Sequence, residues 1–208
     1  APAFAPYRRL YLCNKNFQKI HNYCSNAKHN FFLDVCFAAK FEGGFFKPFS
    51  EKIYLNFTDF PFQLCYELAR SFADIGDFFR GKNLYFGKKK KNQNGKKTER
   101  EQLEENLKTI FKNIYEELKD AQNHYSDTTN FFQLREDWWN ANRKEAWKAI
   151  TCGAPNNAKY FRGTCGGDKE NTATQASHQC RCEGRNADQV PTYFDYVPQY
   201  LRWFEEWA

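Results

Sequence analysis

The chain has 208 residues, with 31 Lys and Arg against 25 Asp and Glu for a formal charge of +6, and 22 Phe in a composition that is 19% aromatic. That length can bury one good core or two small ones unaided, and the ring content excludes a disordered chain despite the low mean hydropathy. No apolar run approaches the roughly 20 residues needed to cross a bilayer and no signal peptide is visible, so a soluble piece of an ectodomain, not itself membrane-spanning, is expected.

Residues 1–60 are dense in Pro, Gly, Asn and aromatics, and they read as a loop-rich module pinned by cysteines. One helical stretch is predicted within them, from about Ala27 to Phe41. Arg8, Arg9, Lys15 and Lys19 form a positive cluster with no acid among the first 20 residues. Asn56-Phe57-Thr58 is a glycosylation sequon.

From residue 61 the texture changes. Asp59 can cap a helix with Pro61 in its first turn, and Leu64, Leu68, Phe72, Ile75 and Phe79 recur at helical spacing. Between Lys82 and Arg100 the chain then carries eight Lys or Arg against one acid, a net +7 in a chain of +6, so the basicity is one concentrated feature. Gly87, Gly95 and the Asn-Gln-Asn centre make this stretch a solvated loop. Lys88, Lys89, Lys90, Lys91, Lys96, Lys97 and Arg100 are its cations, and a polyanion such as a sulfated glycan is the partner they would draw.

Thr98 and Glu101 form a capping box for the next helix, in which Leu103, Leu107, Ile110, Phe111, Ile114 and Leu118 keep one face apolar and Glu104 can pair with Lys108. A third helix is predicted from Phe131 to Thr151. Residues 153–189 lose periodicity and read as a long loop, and Pro198 opens a last helix running through Trp207. Physics alone gives a mostly α fold: a helical bundle, 61–208, with a cysteine-tied loop, following the loop-rich part at 1–60.

Eight cysteines stand at Cys13, Cys24, Cys36, Cys65, Cys152, Cys165, Cys180 and Cys182, an even number that reads as a disulfide framework from an oxidising compartment. Zinc is the competing reading, with His178, Cys180 and Cys182 completed by Cys152 and Cys165. The Cys-x-x-Cys knuckles of a tetrahedral site are missing, which favours disulfides.

Catalysis finds little support. Glu136 with Asp137, and Glu205 with Glu206, could supply an acid and a base, but each pair sits in a helical pattern where adjacent residues point apart. The four histidines are scattered, and no glycine spacing ends in the Lys-Ser/Thr of a phosphate loop. No nucleic-acid recognition module is present, and no cofactor or metal is implied. Trp138, Trp147 and Trp203 fall on core-facing positions, and Arg143 is expected to pair with Asp74 or Asp77.

Longer strings are more specific: YRRLYLCNKNF (7–17), VCFAAKFEG (35–43), LARSFADIGDFFRGKNLY (68–85), REQLEENLKTIF (100–111), LREDWWNANRKEAWKAITC (134–152), QCRC (179–182) and VPTYFDYVPQYLRWFEEWA (190–208). Together they resemble the Duffy-binding-like domain, in particular the alpha class of the Plasmodium falciparum erythrocyte membrane protein 1 adhesins. The resemblance covers nearly the whole chain. It implies a mostly helical, non-enzymatic adhesion domain displayed on infected erythrocytes, of which this chain would hold subdomain 1 (1–60) and subdomain 2 (61–208) without the third.

The same resemblance implies partners, a receptor on host erythrocytes or endothelium and antibodies, with cytoadhesion or rosetting as the outcome; with the basic loop, the expected ligand is a sulfated glycosaminoglycan, heparan sulfate or heparin, or a red-cell glycan. A variable scaffold whose neighbouring domains bind the receptor is the alternative. The Lys-rich filling between GKNLY and REQLEENL departs from the short polar segment usual in the class, and Cys24 lies outside the motifs. Similar domains tie the helix opened by Cys65 to the segment before the last helix. On that pattern Cys36 and Cys65 are expected to pair with Cys180 and Cys182, Cys152 with Cys165, and Cys13 with Cys24.

Overall fold

The computed structural model describes residues 32, 35–41, 43, 60–82, 99–166 and 173–204. Three long helices form the body: α1 (Phe60–Phe79), α2 (Glu99–Glu117) and α3 (Phe132–Ile150), with a short α4 (Gln199–Phe204) near the end. Residues 35–41 are also helical, inside the predicted 27–41 stretch. The three long helices lie within two residues of their predicted ends, because each carries an apolar stripe wide enough to face a common core.

Rings fill that core. Phe72 lies 5.1 Å from Trp139 and 5.2 Å from Trp147, while Phe79 and Phe111 each meet Trp138 at 6.1 Å. Trp138 and Trp147 are buried as predicted, and Trp139 is buried as well. A side chain at Gly76 would strike the Trp139 ring, with Cζ2 2.7 Å from the added carbon, so this α1 glycine is what lets α3 approach so closely. Val35, Ala38 and Ala39 pack into the same hydrophobic cluster.

Helix α3 starts unusually. Its N-cap, Phe131, sits in the left-handed region at φ 58°, and no side chain caps it from that position. The carboxylate of Asp127 serves instead, accepting from the backbone N–H groups of Thr129 and Asn130 at 3.0 Å and of Phe132 at 3.2 Å. These bonds hold the Asp127 carboxyl below the usual carboxylate range, the Asn130 N–H contributing most.

The predicted loop after α3 carries order of its own. Strands β1 (Gly163–Cys165) and β2 (Thr174–Gln175) pair antiparallel, and the ribbon continues through Tyr160 N–H to the Ala176 carbonyl and Cys180 N–H to the Ala158 carbonyl. His178 and Arg181 close it around Gln179 and Cys180, both at positive φ (51° and 56°). Two consecutive left-handed residues without glycine are costly. Their partners hold them there: Cys180 is bonded to Cys65, and its carbonyl accepts from Trp147 Nε1 at 3.0 Å.

Among the described residues the disulfides are Cys65–Cys180 and Cys165–Cys182. The first matches expectation and the second corrects it: Cys152 is not clipped to Cys165, and Cys36 does not reach Cys182. Cys165 is buried on the inner side of the ribbon, where Cys182 meets it, whereas Cys152 lies exposed in the turn that ends α3. Cys36 is a half-buried thiol. With four of the sulfur atoms bonded in pairs, the His178, Cys180 and Cys182 zinc reading falls away. Cys13 and Cys24 lie outside the described residues.

Candidate functional site

Both roots of the basic segment lie among the described residues. Lys88, Lys89, Lys90, Lys91, Lys96 and Lys97 lie outside the described residues, as do Arg8, Arg9, Lys15 and Lys19; Arg100 lies in α2, where the backbone alone is described. The sequon at Asn56, the Thr98 cap and the Glu205–Glu206 pair are likewise outside the described residues, and of Trp203 only the backbone is described. The segment leaves α1 at Arg80, Gly81 and Lys82 and returns at Glu99, the first residue of α2.

The departing root is tightly built. Gly81 turns the chain at φ 70°, and a side chain there would meet Phe132 and the Arg135 guanidinium within about 3 Å. Arg135, fully buried, donates from Nε to the Phe79 carbonyl at 2.6 Å and from Nη1 to Glu104 Oε1 at 2.7 Å. It thereby ties the end of α1 to α2. The expected Glu104 pairing with Lys108 gives way to this bond, since a buried guanidinium needs a carboxylate more than a solvated ammonium does.

Arg80 is the second anchor, donating to Glu136 at 2.9 Å, to Asp77 at 3.0 Å and to the Asp195 carbonyl. Lys82, half exposed, reaches the other Glu136 oxygen at 3.3 Å. Glu136 is therefore held by two cations, and its neighbour Asp137 accepts from Tyr125 Oη at 3.2 Å, so the two carboxylates point to different partners.

Beneath the root lies a buried ionic network that the sequence reading placed incorrectly. Arg143 pairs with Asp195, not with Asp74 or Asp77: both carboxylate oxygens accept from it, at 2.8 and 3.0 Å, and Trp139 Nε1 donates to the same carboxylate at 2.9 Å. Asp74 and Asp77 are taken by Arg202 of α4, at 2.9 and 2.7 Å. The reason is position: the Phe194–Tyr196 turn packs against α1 with the Asp195 carboxylate within reach of Arg143 on α3, while Arg202 of α4 reaches back to Asp74 and Asp77 on α1. Burial pushes the Asp77 carboxyl up, more strongly than Arg202 and Arg80 pull it down.

Electrostatically, each of the buried arginines Arg80, Arg135 and Arg202, and the largely buried Arg143, faces a carboxylate within 3 Å. Their charge is spent inside the fold. The net +7 between residues 82 and 100 is additional to these matched charges. Two half-exposed rings flank the root: Phe132, beside Gly81, and Tyr196, stacked 5.6 Å from Arg80 and 5.0 Å from Arg143, with its hydroxyl donating to Asn140 at 2.6 Å. The tyrosines at 193 and 200 are also more than half exposed. A sequence motif signals none of this surface; only the arrangement in space does. Among the described residues, no helix is long and apolar enough to cross a membrane.

Comparison with known proteins fits this architecture. The family model described as "Duffy binding domain" matches residues 2–202. The NTS-DBL1α1 domain of a Plasmodium falciparum membrane protein 1 (PfEMP1) from the varO strain is 36% identical over 96% of this chain, with a TM-score of 0.70. The N-terminal NTS-DBL1α and CIDRγ double domain from the same strain gives 36% and 0.71, and a DBLβ domain of PfEMP1 bound to human ICAM-1 gives 28% and 0.64 over the same share. This chain spans 41%, 27% and 38% of those three chains. A search of curated proteins found no match.

Proposed function

The chain belongs to the Duffy binding domain family, and from that membership we propose that it is a receptor-binding adhesion module of a variant antigen on the infected erythrocyte surface. It acts by binding and not by catalysis. The relative bound to human ICAM-1 supports a host surface receptor as the partner class. The 1–60 and 61–208 division belongs to this reading, with Val35, Ala38 and Ala39 packed against the bundle as the contact between the two parts.

Within that class the ligand we propose is a sulfated glycosaminoglycan, heparan sulfate or heparin, held by Lys88–Lys91, Lys96, Lys97 and Arg100, with Arg8, Arg9, Lys15 and Lys19 as a second cluster. The observation that carries the proposal is the concentration of charge: +7 between residues 82 and 100, sprung from a root whose own arginines are matched by carboxylates. A dense cationic loop binds a polyanion by releasing its counterions and needs no preformed pocket. Rosetting or cytoadhesion is the cellular outcome this predicts.

The test is binding of the domain to intact red cells before and after heparinase treatment. Loss of binding after treatment supports the glycan; undiminished binding moves the reading to a protein receptor. Absence of binding to either cell sample, together with equal retention on heparin and on a plain sulfonate resin, favours a scaffold whose neighbouring domains bind.

A further inference from the structure

The covalent topology separates a part of the chain that tension can extend from a part that it cannot. Cys65 and Cys180 are joined across 115 positions with their Cα atoms 5.5 Å apart. A pull applied ahead of α1 and beyond α4 passes directly from Cys65 to Cys180 through sulfur. Most of α1, all of α2 and α3, and the β1–β2 ribbon lie inside that closed loop. Cys182 is bonded to Cys165, inside the loop, so the extensible segment begins after residue 182.

What holds the extensible segment is a row of side-chain contacts back to the loop. Arg143 grips the Thr192 carbonyl at 2.9 Å and the Asp195 carboxylate, and Trp139 donates to that carboxylate. Furthest out, Arg202 of α4 donates to Asp74 and Asp77 of α1 and to the Phe194 and Val197 carbonyls at 3.0 and 2.7 Å. A helix as short as α4 has little stability of its own. Among the described side chains its hold on α1 comes chiefly from Arg202, nearly fully buried, with Arg70 donating to the Arg202 carbonyl at 3.5 Å.

We propose that this arrangement is a tension-limiting device: an Arg202 clasp gives way first under force, and the Cys65–Cys180 bond stops extension from entering the helix bundle. A module tethered between two surfaces would then lengthen by a short, defined step while α1, α2 and α3 keep their arrangement. The proposal does not depend on which ligand is bound. It goes beyond the adhesion reading and can fail without it.

Single-molecule extension tests it, with the full chain held through an unnatural amino acid at position 59 and a handle at the C-terminus. At ~3.5 Å per extended residue, the segment after Cys182 has a contour of roughly 90 Å and the stretch from position 59 to Cys65 about 20 Å; these, less their folded spans, set the short step, and the closed loop holds about 400 Å. The oxidised protein should show the short step alone, and the long release should appear only with dithiothreitol. Asp74→Asn and Arg202→Lys should each lower the force of the short step and leave its length unchanged. Asp74 lies at the rim of the network and leaves Arg202 its bond to Asp77, so Asp74→Asn keeps the test open if Arg202→Lys folds poorly. An unchanged force in both variants would overturn the clasp, and a release near 400 Å in the oxidised chain would overturn the shielding.

Discussion

Arg143 on α3 and Asp195 in the turn before α4, 52 residues apart, form a two-point ion pair in which the Asp195 side chain is fully removed from solvent. Trp139, next to Trp138 in sequence, donates to the same carboxylate and places an indole beside the pair. The pair thus joins the aromatic core to the segment that carries Tyr196.

Removing both members of this pair should cost less than the two single removals added together. Asp195→Ala leaves a largely buried guanidinium without its carboxylate, a loss on the order of 3–5 kcal/mol. Arg143→Ala strands the Asp195 charge and should be comparably harmful. The double variant should lose less than the sum of the two, because no buried charge is left over. Urea unfolding of the four proteins measures this, and simple additivity would show that the two residues act independently.

Thiol chemistry checks the connectivity. Cys152 is exposed, whereas the Cys36 thiol is half-buried and pushed up to about 11, first by burial and then by Glu145. Only the thiolate is alkylated, so iodoacetamide at mild alkaline pH should label Cys152 first and Cys36 slowly. Non-reducing peptide mapping should recover Cys65 with Cys180 and Cys165 with Cys182. A Cys152–Cys165 peptide would contradict the ribbon as described.

The Asp127 cap predicts a pH dependence. Its carboxyl is held below the ordinary value in the folded protein. Its stabilisation is therefore full above the unfolded carboxyl's pKa, about 4, and fades as pH falls through the folded value. Asp127→Ala should cost about 1 kcal/mol near neutral pH, the usual worth of a helix cap. The gap between wild type and variant should narrow toward pH 2, and a gap that stayed constant would remove the carboxylate from the cap.

The long helices were legible because their signal is periodic and local: Leu64, Leu68, Phe72 and Phe79 announce α1, and Leu103, Leu107, Phe111 and Ile114 announce α2. Pairings between distant side chains were not. Nothing in sequence distinguishes Asp74, Asp77 and Asp195 as partners for Arg143, since the choice follows from where the Phe194–Tyr196 turn presents Asp195 and from Arg202 taking Asp74 and Asp77. Cysteine pairing had the same weakness. Cys152 and Cys165 are close in sequence, but burial separates them, and the left-handed Gln179–Cys180 turn that presents Cys180 to Cys65 carries no glycine to betray it. The charge proposed to bind the glycan was plain from composition, whereas the half-exposed rings at Phe132 and Tyr196 beside its root became visible only in three dimensions.

The central claim is that the lysine-rich segment binds sulfated glycan, and the salt dependence of heparan sulfate binding tests it most directly. Lys88, Lys89, Lys90, Lys91, Lys96 and Lys97 are replaced together by Gln, and affinity is measured across a range of salt for parent and variant. Solvated loop lysines contribute little to folding, so stability should change by no more than about 0.5 kcal/mol per site. The parent should bind tightly at low salt with affinity falling steeply, and the variant should bind more weakly with a shallower slope, because fewer counterions are released per complex. Equal affinity and equal slope in the two proteins would contradict the claim and move the search to Arg8, Arg9, Lys15 and Lys19.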